Sequence, residues 1–278
     1  MKKIHLQRVA PADIEARSME LIAQELGDRV FPAEQLPVVK RVIHTTADFE
    51  YADNLVFSPG AVEKGIAAMK AGCTIVTDTQ MAFSGVNKRV LEKFGGRAVC
   101  FMSDPDVAAE ARERGETRAT VSMERAAALD GPLVLAIGNA PTALVRACQL
   151  MDEGKMKPAL VIGVPVGFVN VVESKEKIFS ACRAHNVPCI AAMGRKGGRT
   201  VAAAICNALL YTATERLDPA ARGWQGCYNE EQKTTQNIGA RRAASAGCGG
   251  GGVFGGRFVP GQPALFAGAA VASTGFAG

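Results

Sequence analysis

The sequence predicts a three-layer α/β/α protein, Rossmann-like, on a mostly parallel central sheet of about six strands. Three observations carry this. Short runs of β-branched and aliphatic residues recur between longer segments of helical periodicity. Most of those runs are apolar throughout rather than alternating, as in strands covered on both faces. Several end in Gly-containing turns that open directly into the next helix, as βαβ crossovers do.

The elements follow in order. Residues 11–26, "PADIEARSMELIAQEL", read as a helix with Asp13 as candidate cap and Gly27 as stop. Pro37 suits the start of a second helix. Its Val38, Val39, Val42 and Ile43 share one face, with Lys40, Arg41, His44 and Asp48 on the other. Strand "NLVFS" (54–58) then precedes helix "PGAVEKGIAAMKAG", and "CTIVTDT" (73–79) precedes helix "NKRVLEKFG". "RAVCFM" (97–102) leads to two helices, 104–115 and 117–131. "PLVLAIG" (132–138), "ALVIGVPVG" (159–167) and "VPCIAAMG" (187–194) are each followed by a helix, at 141–154, 173–186 and 197–214.

The pattern stops near residue 216, so residues 1–216 are expected to form the folded domain. Fourteen of the 30 glycines fall in residues 217–278, where no helix or strand period survives. That Gly/Ala-rich extension is expected to be disordered.

Composition narrows the function classes. The chain is 48% apolar and 21% charged, with a net charge of +5. Apolar runs are too short for a membrane span. "MKKIHLQRVAPADIEARS" lacks the apolar centre of a secretory signal. No Lys/Arg run suggests nucleic acid. The eight cysteines form no CxxC pair, which predicts free thiols in a reducing, cytoplasmic setting and no protein metal site. No GxGxxG follows a strand, and neither a Walker GxxxxGK[ST] nor a GxSxG elbow occurs.

Ligands of such folds bind beyond the carboxyl ends of the strands. There the sequence places "TDTQM" with Asp78, "GNAPT", "GVPVGFVN" and "GRKGGRT". Exposed N–H groups at helix starts, with Arg195 and Lys196 beside one of them, suit an anion. Singly, each turn also fits plain packing, and Asp78 fits a helix cap; four on one rim favour a binding site. His185 sits at a helix end, where a cation suits the dipole. Ser18, on the apolar side of the first helix, fits a hydroxyl bonded back to its own backbone. His44 is the candidate acid–base group, with a solvated surface position as the plain alternative.

The strings "KRVIHTTADFE", "TDTQMAFSGVNKR", "GNAPTAL", "GVPVGFV", "ESKE" and "GRKGG…AAAICNALLY" resemble those of the precorrin-8X methylmutases, over residues 4–214 and in family order. They are most similar to the cobalt-precorrin-8 methylmutases of the anaerobic route to cobalamin. The resemblance implies an isomerase that moves a methyl group from C11 to C12 of a corrin precursor, with no organic cofactor. Any cobalt would be carried by the substrate. It also implies His44 as proton donor and a homodimer holding the anionic macrocycle at its interface. The rim turns and the resemblance together give the candidate substrate contacts. These are Arg17 and Ser18; Asp78 and Met81; Arg118; Asn139, Ala140, Pro141 and Thr142; Gly167 and Phe168; and Gly194, Arg195, Gly197 and Gly198. Two departures stand out. "GFVNVVESKE" has Asn170 where the family pattern has Gly, and "TRAT" lacks the Ser expected after Arg118. The rival readings are a non-catalytic binder of anionic rings and, lower in rank, a nucleotide-dependent enzyme without the usual fingerprint.

Overall fold

A computed structural model describes residues 9–10 and 13–214. The 217–278 extension, His5, Cys227 and Cys248 lie outside the described residues. The element order is α1 (Ile14–Leu26), α2 (Leu36–Thr46), α3 (Tyr51–Asn54), β1 (Leu55–Phe57), α4 (Ala61–Lys70), β2 (Thr74–Thr77), α5 (Gln80–Gly85), α6 (Lys88–Glu92), β3 (Arg97–Val99), α7 (Pro105–Arg114), α8 (Arg118–Ala127), β4 (Leu133–Ile137), α9 (Pro141–Asp152), β5 (Leu160–Gly163), α10 (Val171–Ala184), β6 (Cys189–Ala192) and α11 (Arg199–Ala213).

The six strands lie in the order β1-β6-β5-β4-β2-β3. All pairs are parallel except β1 with β6, in the register Val56 opposite Ala191. Central strands bury every residue, which explains their unbroken apolar runs. Alternate side chains feed two cores. Val134, Ala136, Leu160 and Ile162 pack with residues of α1, α2, α4 and α11. Leu133, Leu135, Ile137 and Val161 pack with residues of α8, α9 and α10. Helices therefore cover both faces of the sheet. No described helix is long and apolar enough to cross a membrane.

Local chemistry sets most boundaries. Gly27, in the left-handed region at φ 58°, ends α1. Asp13 precedes α1, but its side chain makes no capping bond, contrary to expectation. Pro37 lies in the first turn of α2, and Val38, Val39, Val42 and Ile43 are buried as the spacing predicted. The helix stops at Thr46 because Ala47 turns into the left-handed region. Asp48 therefore leaves the polar face of α2 on which the helical reading had placed it. The short helices α3 and α5 were not legible: four and six residues are too few for a period. Cys73, Cys148, Cys182, Cys189 and Cys206 are free and buried, and Cys100 is partly so.

Candidate active site

The loops after β2, β4, β5 and β6 leave the same edge of four adjacent strands. Successive connections move one way from β2 to β3 and the other way from β4 through β5 to β6. The direction of winding reverses between β2 and β4, where such folds open a crevice.

Asp78 follows β2 at this point and is fully buried. One carboxylate oxygen accepts from the Gly138 N–H at 3.0 Å; the other accepts from Asn139 at 2.7 Å and Ala140 at 2.6 Å. Burial pushes its carboxyl above the usual carboxylate range, and the three N–H bonds pull it back. The backbone donors of Asn139 and Ala140, expected to be open to an anion, are thus taken. Asp78 caps a helix, but one sixty residues further along the chain: it fixes the start of α9, where Pro141 and Thr142 follow. Asn139 Oδ1 accepts from Arg199 Nε at 3.2 Å and Nη2 at 2.9 Å, joining the β4 loop to the start of α11. Arg199 Nη1 lies 4.0 Å from Met81 Sδ, and the Met81 side chain is exposed. Arg199 was missed as a site residue, although it stands in the quoted "GRKGGRT". Gly138 permits this contact: a Cβ there would lie 2.7 Å from the Gly198 oxygen.

The β5 and β6 loops are laced together. Gly198 N–H donates to the Val164 oxygen at 2.8 Å and Gly167 N–H to Arg195 at 3.3 Å. Gly197 has φ 159°, and a Cβ there would meet the Val164 oxygen at 2.2 Å. Gly194 and Gly198 also have positive φ. Asn170, at φ 57°, explains one departure from the family pattern. The position needs a left-handed residue, and Asn tolerates that better than most. Phe168 is 83% exposed, and the Arg195 guanidinium sits over its ring at 5.4 Å.

Lys196 is not available to an anion as the sequence suggested. Its ammonium pairs with Asp48 at 2.6 Å and Glu50 at 2.8 Å, and these carboxylates raise its pKa. The Tyr51 hydroxyl donates to the Gly197 oxygen at 3.3 Å. These contacts tie the segment after α2 to the β6 loop, and His44 stands in the last turn of that helix.

His44 is exposed, yet the protein around it and then Arg41 hold its pKa below the ordinary 6.5, with Glu15 opposing. Arg41 pairs with Glu15 at 2.7 Å and lies over the Tyr211 ring at 5.1 Å. Arg118 opens α8, exposed, and donates to the Met102 oxygen at 3.0 Å. Its neighbour Thr117 bonds Thr142 Oγ1 at 3.0 Å, which brings the starts of α8 and α9 together. Arg17 and Ser18 stand apart from the strand-end loops in bonding. Arg17 pairs with Glu20, and Ser18 donates to the Ile14 oxygen, the backbone contact expected of it. His185 ends α10 and meets Asp152 at 2.7 Å. No cluster of metal-ligating side chains occurs among the described residues.

The rim therefore combines backbone turns, an exposed guanidinium and exposed apolar surface, and the segment that follows His44 is tied to it through Asp48, Glu50 and Tyr51. That combination suits a large ring with acidic arms. The family model for precorrin-8X methylmutase matches residues 13–212. A cobalt-precorrin-8 methylmutase from Priestia megaterium is 46% identical over 201 residues, covering 72% of this chain and 88% of that protein. One from Salmonella typhimurium is 44% identical over 211 residues, covering 74% and 97%. A crystal structure of a precorrin-8x methyl mutase from Thermus thermophilus superposes with a TM-score of 0.65 at 40% identity, covering 72% of this chain and 96% of that one. The chain belongs to the precorrin-8X methylmutase family.

Proposed function

We propose that this methylmutase of cobalamin biosynthesis moves a methyl group from C11 to C12 of precorrin-8, with His44 as proton donor and residues 1–216 as the catalytic domain. The C11–CH3 bond breaks as the C12–CH3 bond forms. The reaction is an isomerisation, so a proton given to the ring by His44 is balanced by one the ring gives up. Holding the methyl in line over its target supplies part of the rate. Proton transfer adds its own share.

The observation that carries the reading is the tether between the α2 end and the β6 loop. Lys196, Asp48, Glu50 and Tyr51 join the segment that follows His44 to a loop rich in backbone donors. The tether supports a reading in which the acid works beside a carboxylate-binding rim. Because His44 has a lowered pKa, the bound substrate itself would supply the proton-holding field: its carboxylates favour the imidazolium. A ring binder without chemistry has no use for this group. The matching relatives named for the cobalt-containing precursor favour a cobalt-loaded substrate.

Exposed Met81, Val166, Phe168 and Val169 support a homodimer with the macrocycle at its interface. They are 44 to 83% exposed, and apolar surface of this kind on a rim favours cover by a second subunit. The buried free thiols fit a cytoplasmic setting. The test is incubation with cobalt-loaded and metal-free precorrin-8, following conversion to the corrin chromophore. Conversion without added nucleotide supports the reading; binding without conversion would establish the non-catalytic alternative.

A further inference from the structure

Lys175 lies on α10 with none of its surface exposed. Its ammonium donates to the carbonyl oxygens of Gly194 at 2.9 Å and Lys196 at 2.7 Å. It makes no ion pair among the described residues. A buried charge without a counter-charge is costly, and burial pushes this amine down to about 8.

The contacts form part of a pattern. Four consecutive carbonyls of the β6 loop are claimed by neighbours: Gly194 and Lys196 by Lys175, Arg195 by the Gly167 N–H, and Gly197 by the Tyr51 hydroxyl. In a trans peptide the C=O and the following N–H point in opposite directions. Fixing the Gly194 and Lys196 carbonyls on the ammonium therefore turns the N–H groups of Arg195 and Gly197 away from it. Neither N–H donates to another described residue.

We propose that Lys175 is a positioning residue for substrate binding: it draws two carbonyls inward and so presents the Arg195 and Gly197 N–H groups, and the Arg195 guanidinium, to a carboxylate of the corrin precursor. The proposal rests on the reading of this rim as the substrate site. Lys175 touches no substrate atom and acts through the loop alone. Its loss should therefore weaken binding while leaving the acid at His44 intact.

The test is steady-state kinetics of Lys175→Met on precorrin-8. Methionine has similar length and volume but no donors. KM should rise on the order of 10- to 100-fold, as expected when charge-assisted bonds to the loop are lost. The value of kcat should stay within about threefold of wild type. The melting temperature should shift only modestly, because the loss of two hydrogen bonds and the removal of a buried charge act in opposite directions. KM within about twofold of wild type, or a fall in kcat at constant KM, would overturn the proposal. If Lys175→Met does not fold, Lys175→Gln decides the matter: it keeps one shorter donor group, so a raised KM supports the role and an unchanged KM overturns it. Wild-type enzyme is assayed in parallel. Wild-type turnover with an unaltered variant sinks only the Lys175 role, whereas a wild type inert toward precorrin-8 sinks the functional reading and this role with it.

Discussion

Replacing Gly197 with alanine is the most direct perturbation of the loop rim. The added Cβ would stand 2.2 Å from the Val164 oxygen and 2.7 Å from the Pro165 oxygen. Both are backbone atoms, so no side-chain rotation relieves the overlap and one loop must move. Moving it breaks the Gly198 N–H bond to the Val164 oxygen, worth about 1 kcal/mol. It also loosens the charge-assisted bond from Lys175 to Lys196, at about 1–2 kcal/mol. A side chain at φ 159° adds about 1–2 kcal/mol of backbone strain. The total is about 3–5 kcal/mol. Gly194→Ala is the control. Its φ is 74°, and no heavy atom lies within 4 Å of the added Cβ, so it should cost only about 1–2 kcal/mol. Urea unfolding followed by circular dichroism, at one protein concentration, measures both. Equal midpoints for the two variants, at equal slopes, would refute the packing argument for this loop.

Asp78→Ala leaves the N–H groups of Gly138, Asn139 and Ala140 without their acceptor. Stability should fall by about 2–4 kcal/mol in the same assay, since removing a buried carboxylate offsets part of the loss. The pH dependence of kcat/KM reports the free enzyme. Under the proposed role the active form is the His44 imidazolium, whose pKa is held below 6.5 by the surrounding protein and Arg41. Thus kcat/KM should decline as pH rises through that lowered value, and Arg41→Met should move the decline to higher pH; a profile flat from about pH 5 to 8 would contradict this. A chain ending at residue 216 retains the whole of the family match and should sediment as a dimer with full turnover.

Strand positions were legible because a doubly covered sheet demands uninterrupted apolar runs, such as Leu133–Ile137. The α2 face was legible because its four buried positions follow helical spacing. The reach of Asp78 was not: its partners lie sixty residues away, and only the fold brings β2 beside β4. Lys196 looked like an anion ligand because its carboxylate partners are joined to it only through tertiary contacts. Lys175 was hidden by habit, since lysines in helices usually face water. Its spacing did carry a signal. Val171, Ser174, Lys175, Ile178 and Cys182 share one buried face of α10, so the ammonium had to enter the protein. The antiparallel direction of β1 had no such signal, because a three-residue edge strand reads alike in either direction.

The central claim is that His44 donates a proton to the bound ring. Its removal in His44→Ala spares Val38, Val39, Val42 and Ile43, which anchor the helix, so the fold and the binding rim should survive. The decisive measurement is single-turnover conversion of precorrin-8 by His44→Ala at saturating enzyme, with binding of the corrin product titrated on the same preparation. Product affinity should stay near wild type while the conversion rate falls by about two to four orders of magnitude. Wild-type conversion by the variant would contradict the acid role and return His44 to an ordinary place on the solvated face of α2.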